Sequence, residues 1–256
     1  MVARLEWVKF QAGSLMAIRA EYERVKDERH TRLHLDHMPV IDEDGLAVDF
    51  RADIREAIAL GYGSVMVDGS RLPLEANIAC TREIVEMAHA HGVPVEAELG
   101  AVMGHEAGPL PPYDELFVSG KGFTDPVEAR RFVAETGVDW LSVAIGNIHG
   151  AIADAARHQP KLTARLSLER LRDIHMAVGI PLVLHGGTGI RREDILASFQ
   201  HGIAKINIAT AIRQPYERAL TESLAAAERA VYDTIRALVE GELGIAGNAQ
   251  LLARNE

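Results

Sequence analysis

The sequence predicts an α/β fold of the TIM (β/α)8-barrel type, and three observations predict it. Short apolar runs alternate with amphipathic helical patterns along the whole chain, the repetition that parallel strands with right-handed crossovers require. Most of the runs are apolar or β-branched on both faces, as strands covered on both sides of a parallel sheet are. Polar residues stand at the C-terminal ends of many runs, Asp36, Asp68, Glu98, Asn147, His185 and Asn207 among them. Barrel enzymes collect their functional groups at that end.

Strands are expected at residues 31–35, 64–67, 93–99, 140–145, 182–184 and 205–208, with a seventh candidate at 7–11. Between them, helical patterns occupy 50–60, 74–91, 126–136, 168–178 and 192–201. Thr124-Asp125-Pro126 sets a capping residue before a proline at the first helical position, and Gly137 follows the last turn. Gly61, Gly92, Gly179 and Gly202 close other helices in the same way. Residues 214–238 read as one or two helices and 241–248 as a Gly-rich turn. An eight-stranded barrel would still lack one βα unit, expected to be the first.

The 256 residues are about the size of one such barrel, so residues 1–256 are read as a single domain. A formal net charge of −10 speaks against a nucleic-acid binder, which needs surplus Lys and Arg. A small phosphorylated substrate remains compatible, because one helix N-terminus and one basic side chain can hold it. The single cysteine, Cys80, excludes an internal disulfide and is expected to be a buried packing residue. No apolar leader opens the chain and no run reaches membrane-spanning length, so a cytoplasmic setting without membrane partners is expected.

Histidines at strand ends carry the first chemical signal. His34-Leu35-Asp36-His37 offers three polar groups at a sheet rim. In an extended segment His34 and Asp36 share a face, and His37 is expected beyond the strand, able to turn into a cleft. His149 follows a second strand and His185 ends another. Three histidines with an open fourth position form a catalytic zinc site; singly, each would read as a capping or satisfied polar residue.

Carboxylates form the second signal. Asp68 ends one strand, and Glu96 alternates with Glu98 in another. A carboxylate in an apolar strand is costly unless paired or metal-bound. Asp68 and Glu98 therefore read as groups around or beside the metal, with a satisfied hydrogen-bond network as the alternative. Asp36, next to a ligand, is the general acid/base candidate. Gly186-Gly187-Thr188-Gly189 lies between strand and helix with backbone N–H groups suited to phosphate, and Asn207-Ile208-Ala209-Thr210 ends the next strand. Lys205 reads as structural rather than as a Schiff-base lysine.

Together these stretches resemble the class II fructose-bisphosphate and tagatose-bisphosphate aldolase family. The residues that carry the resemblance are 34–37, 63–70, 95–100, 143–150, 185–189 and 205–210, in family order. The resemblance implies a metal-dependent lyase that cleaves a phosphorylated ketose into dihydroxyacetone phosphate and an aldehyde, a step of glycolytic carbohydrate metabolism. It implies zinc on His37, His149 and His185, with Glu98 and Asp68 at a second divalent position. Asp36 would move the proton of the C4 hydroxyl, and Glu106 the proton of the enediolate carbon. Asn207 would contact substrate near the scissile bond. Gly150, Gly186, Gly187, Thr188, Ala209 and Thr210 would hold the phosphate end, where family members often add a monovalent cation. A homodimer or homotetramer is implied as well.

The chain departs from the family pattern in places. Ala209 stands where many fructose-bisphosphate enzymes carry Asp, Asn147-Ile148 replaces a small hydroxyl pair, and Ala107 replaces a second acidic residue. Residues 1–13 match poorly, which implies an absent or altered first βα unit. These differences favour the broader ketose-bisphosphate branch near the tagatose type and leave the sugar open. The alternatives are a sugar-phosphate-binding relative with little turnover and a metal-dependent hydrolase on the same barrel.

Overall fold

A computed structural model describes residues 2–8, 13–42, 44–102, 112–148 and 163–248. In chain order the elements are β1 (Val2–Ala3), α1 (Arg4–Val8), α2 (Leu15–Val25), β2 (His34–Pro39), α3 (Phe50–Ala59), β3 (Ser64–Asp68), α4 (Leu74–His89) and β4 (Val95–Leu99). They continue with α5 (Tyr113–Ser119), α6 (Pro126–Thr136), β5 (Trp140–Val143), α7 (Leu168–Val178), β6 (Leu182–Leu184), α8 (Arg192–Ser198), β7 (Ile203–Ile206), α9 (Thr210–Leu220) and α10 (Leu224–Ala237). The chain forms two compact units. One comprises Met1–Ala101, Thr124–Ser142 and Ala177–Ile180, the other Val102–Phe123, Val143–Met176 and Pro181–Glu256.

In the first unit the strands follow one another in sequence order from β1 to β5, and the registers of β1 on β2, β2 on β3 and β3 on β4 are parallel. Leu35, Val65, Met66, Val67, Val95 and Ala97 are wholly buried, which is why these strands read as unbroken apolar runs. Helix α6 is capped at both ends as the sequence predicts. Asp125 accepts from the amides of Val127 and Glu128, and Gly137 takes φ 69° at the C-terminus of α6. Cys80 is buried and donates to the Asn77 carbonyl at 3.2 Å, and burial pushes its thiol pKa up.

In the second unit β6 and β7 pair in parallel. The tail folds as two helices, α9 and α10, with Ser223 capping the second through the Ala226 amide. A π-helical turn, Leu238–Glu242, follows before the Gly-rich end. No helix among the described residues is long and apolar enough to cross a membrane.

Several expected boundaries moved. The candidate strand at 7–11 is not one where it is described, because Trp7 and Val8 belong to α1; residues 9–11 lie outside the described residues. Val2 and Ala3 take the edge of β2 instead, opposite Leu35 and Asp36. Arg4 then anchors the turn with Nε 3.5 Å from Asp53. The strand expected at 31–35 starts three residues later, since Thr31 is consumed by a turn closed on Asp27 through its amide and hydroxyl. The strand expected at 205–208 runs from Ile203 to Ile206. Helices α2 and α5 were not foreseen, although Ser14, which caps α2 through the Ala17 amide, was a legible start signal.

Candidate active site

The C-terminal ends of β2, β3 and β4 bring four of the expected residues together in the first unit: Asp36, His37, Asp68 and Glu98. His37 does not lie beyond its strand as expected. It sits inside β2, at an irregularity where Leu35 faces Val65 and Met38 faces Val67. Three steps on β2 thus match two on β3, the count of a β-bulge, a device that re-aims a side chain. His37 has φ 44°, the only positive φ of a non-glycine residue among the described residues. Holding a non-glycine residue there costs on the order of 1–3 kcal/mol. The surroundings over-determine it: the His37 amide donates to Met66 Sδ at 3.2 Å, and Nδ1 lies 3.2 Å from Asp68 Oδ2.

Asp68 is itself held, because the Ser70 amide and hydroxyl both donate to Oδ1, at 3.0 and 2.6 Å. Burial opposes ionisation of Asp68, but His37 and Ser70 outweigh it and hold the carboxyl well below the usual range. Burial likewise disfavours charged His37. The hydrogen bond to Asp68 and the charges of Asp36, Glu98 and Asp68 overcome it and raise the pKa to about 10. Glu98 moves the other way from Asp68. Burial, then the nearby negative charges of Asp68 and Glu96, push its pKa up to about 8, while the His37 charge and the Ser142 hydroxyl, which donates at 3.3 Å, oppose the rise. The strand end that carries Glu98 is pinned by Asn77, whose Nδ2 donates to the Glu98 carbonyl at 3.0 Å. Gly69 lets Asn77 approach, since a Cβ there would lie 2.3 Å from Asn77 Oδ1. Met66, Ser70 and Asn77 had no assigned role in the sequence; Gly69 and Ser70, directly after a strand-end aspartate, were the only signal.

One layer further in, His34, Asp36 and Glu96 form a second buried group. His34 and Asp36 share a face of β2 as expected, with Nε2 3.4 Å from Asp36 Oδ1 and 3.5 Å from Glu96 Oε2.

The second unit carries the residues of the glycine loop and of the strand end that follows it. His185 follows β6 and is wholly buried. Its carbonyl accepts from Asn147 Nδ2 at 3.0 Å, while Asn147 Oδ1 accepts from the Ile145 amide at 2.9 Å. Asn147, read from sequence only as a strand-end polar residue, is therefore a backbone clamp. Gly186 adopts φ 67°. The Gly187 amide donates to the Asn207 carbonyl at 2.9 Å, and the Asn207 amide to Leu184 at 2.9 Å. A Cβ on Gly187 would lie 2.6 Å from Ile206 Cγ2, so only glycine fits. Thr188 Oγ1 accepts from the Ala211 amide at 3.2 Å, which seats the loop against the first turn of α9, with Ala209 at its N-cap and Thr210 at its first position. A helix N-terminus beside a glycine loop attracts anions. Glu106, His149 and Gly150 lie outside the described residues.

Comparison with known proteins gives this geometry a context. The family model described as fructose-bisphosphate aldolase class-II matches residues 5–251. A Bacillus subtilis (strain 168) protein named "Probable fructose-bisphosphate aldolase" is 38% identical over 209 residues, 82% of this chain and 65% of that protein. A fructose-bisphosphate aldolase of Streptococcus pyogenes serotype M6 is 39% identical over 191 residues, 74% of this chain and 56% of that protein. The chain thus spans less than two thirds of the length of these curated relatives. Among solved structures, the crystal structure of the YdjI aldolase from Escherichia coli K12 superposes with a TM-score of 0.68 at 29% identity, covering 96% of this chain and 81% of that one. A fructose-bisphosphate aldolase from Campylobacter jejuni, at 20% identity, has a TM-score of 0.67 over 90% of this chain and 75% of its own. That second likeness speaks for the fold alone. The fold is α/β of the TIM type, with seven sheet strands among the described residues.

Proposed function

The chain belongs to the class-II fructose-bisphosphate aldolase family, and from that premise we propose that it is a metal-dependent lyase acting on a phosphorylated ketose. It would release dihydroxyacetone phosphate and an aldehyde. The observation that carries this reading is the strained His37 beside Asp68 and Glu98. Strain of this kind persists at sites where a side chain must point one way. The donor set fits a divalent cation on a separate ground. Burial, together with the negative charges of Asp68 and Glu96, raises the pKa of Glu98 to about 8, and a cation would compensate both the lost solvation and the repulsion. We assign His37, His149 and His185 as the zinc ligands and Glu98 with Asp68 to a second divalent position. When bound, the metal supplies Lewis-acid polarisation of the substrate carbonyl.

The chain's own residues then divide the proton work. Asp36 accepts the proton of the C4 hydroxyl; the O–H electron pair becomes the aldehyde C=O as the C3–C4 bond breaks. The bonding pair stays on C3, delocalised into the adjacent carbonyl, and Glu106 returns a proton to that carbon. Asn207 lies at the reacting end. Gly150, Gly186, Thr188, Ala209 and Thr210 bind the phosphate through backbone N–H groups and hydroxyls, with a monovalent cation beside them, while Gly187, whose amide is committed to the Asn207 carbonyl, shapes the loop at the phosphate end. Ala209, in place of the Asp of many fructose-bisphosphate enzymes, favours the wider ketose-bisphosphate branch. The family premise also supports a homodimer or homotetramer in the cytoplasm.

The test is a retro-aldol assay on fructose, tagatose and deoxy-ketose phosphates, read as triose phosphate release and coupled to metal analysis. Activity lost on chelation and restored by zinc is expected. Activity indifferent to chelator overturns the metal role. Substrate-induced stabilisation without triose phosphate would leave a binding relative, and release of inorganic phosphate would leave a hydrolase.

A further inference from the structure

Asp36 is useful as a base only if its carboxylate is held at one rotation, and the structure contains a group placed to hold it. We propose that His34 is a positioning residue for Asp36, locked by Ser64 and balanced by Glu96. This assignment rests on the role given to Asp36 above.

The four side chains come from three neighbouring strands. His34 and Asp36 are two residues apart on β2 and so point to one side. Ser64 faces His34 in the register of β2 on β3, and Glu96 faces Met66 in that of β3 on β4. His34 is 6% exposed, Asp36 4%, and Glu96 has no exposure. The nearest polar atoms of His34, Asp36 and Glu96 all lie within 4.8 Å of one another.

The imidazole has little freedom. Its Nδ1 lies 2.8 Å from Ser64 Oγ, and the Trp140 ring sits 6.1 Å away, tilted by 52°. Nε2 makes no hydrogen bond of regular geometry, and its near polar neighbours are two carboxylate oxygens, Asp36 Oδ1 at 3.4 Å and Glu96 Oε2 at 3.5 Å. Ionised carboxylates only accept. An Nε2 lone pair facing both would be repelled, so Nε2 carries a hydrogen and Ser64 donates its hydroxyl hydrogen to Nδ1. Both distances exceed the usual 2.7–3.2 Å for N–H···O bonds, so the imidazole acts on the two carboxylates through short-range electrostatics rather than through a hydrogen bond committed to either. The outcome is a restraint on the rotation of the Asp36 carboxylate, exerted by an imidazole that Ser64 holds in place and that Glu96 also faces.

His34 touches no reacting atom in this scheme, so its loss acts through Asp36. Asp36 serves the C4 hydroxyl, whereas the proton on C3 belongs to Glu106. Loss of His34 therefore impairs C3–C4 cleavage and spares the exchange of a dihydroxyacetone phosphate C3 hydrogen with solvent.

The experiment compares the full-length zinc-loaded protein with His34→Ala and His34→Gln. Expected for His34→Ala is a kcat for cleavage lower by on the order of 10²-fold, the scale of a misplaced catalytic group. KM, zinc per chain and the rate of hydrogen exchange from dihydroxyacetone phosphate stay near those of the parent. His34→Gln, whose amide can still donate toward Asp36, recovers part of the cleavage rate, and it carries the test if the alanine variant does not fold. Exchange falling in step with cleavage in the variants overturns the proposal in favour of a purely structural role. Zinc lost along with activity assigns the trio to a metal site instead. An unchanged kcat also overturns it. A parent protein that exchanges the hydrogen but does not cleave any ketose refutes the role of Asp36, and a parent that does neither refutes the aldolase reading.

Discussion

His37 Nδ1 lies 3.2 Å from Asp68 Oδ2, and His37 reaches it from a backbone with φ 44° at a bulge in β2. The pair joins two adjacent strands and commits one ring nitrogen, so a metal would be taken on the other. Carboxylates that fix the tautomer and direction of a ligating histidine in this way are part of a metal site's affinity.

Asp68→Asn should therefore weaken zinc binding on the order of 10- to 100-fold, the usual cost of such a change. Competition against a chromophoric chelator measures it. Unaltered affinity would show that the bulge alone orients His37.

Zinc binding to metal-free protein should release protons at neutral pH. His37, raised to about 10, and Glu98, raised to about 8, both carry protons at pH 7, and a metal displaces them. Affinity accordingly climbs as pH rises toward 8 and falls in acid. Titration calorimetry in buffers of different ionisation enthalpy reads the proton number; zero released protons at pH 7 would contradict the assignment of these two residues.

Stability should decline in alkali through Tyr62. Its ring is 1% exposed, and its hydroxyl donates to the Leu15 carbonyl at 3.0 Å. Burial raises the pKa from 10.0 to about 12. The neutral form is the one favoured by folding, so the contribution is full below pH 10 and disappears as pH rises toward 12. Two pH units correspond to about 2–3 kcal/mol. Tyr62→Phe should be less stable at neutral pH by about 1 kcal/mol, the usual worth of one hydrogen bond, and should show a flatter stability profile between pH 10 and 12. Denaturant midpoints across that interval decide it.

Gly187→Ala should disturb the anion loop. The added Cβ meets Ile206 Cγ2 at 2.6 Å and the Asn207 carbonyl at 3.0 Å. Overpacking of this kind costs roughly 1–3 kcal/mol, and the loop amides should lose their alignment. A lower melting temperature with weaker binding of dihydroxyacetone phosphate is expected; unchanged affinity would place phosphate elsewhere.

Much of the fold is legible in the sequence, because hydrophobic burial and backbone chemistry write themselves locally. The strand expected at 64–67, which ends one residue later at Asp68, the cap at Asp125 and the αL glycine at 137 each depend on a few adjacent residues. The glycines of the 186–189 loop were equally readable, since close backbone approach leaves room for nothing else. The N-terminal region was not. Trp7 and Val8 carry a pattern that suits a strand, but the edge of β2 is taken by Val2 and Ala3, a non-local competition that no window can register.

The sequence by itself determined the α/β alternation, the family, and the identity of the residues at the strand ends, because these follow from periodicity and from side-chain chemistry. Only the tertiary structure decided how those residues meet. The bulge that turns His37 toward Asp68 depends on the register between β2 and β3. The shared position of His34 between Asp36 and Glu96 depends on three strands converging. Electrostatic coupling falls off within a few ångströms, so the opposite shifts of Asp68 and Glu98 exist only once folding has set those distances.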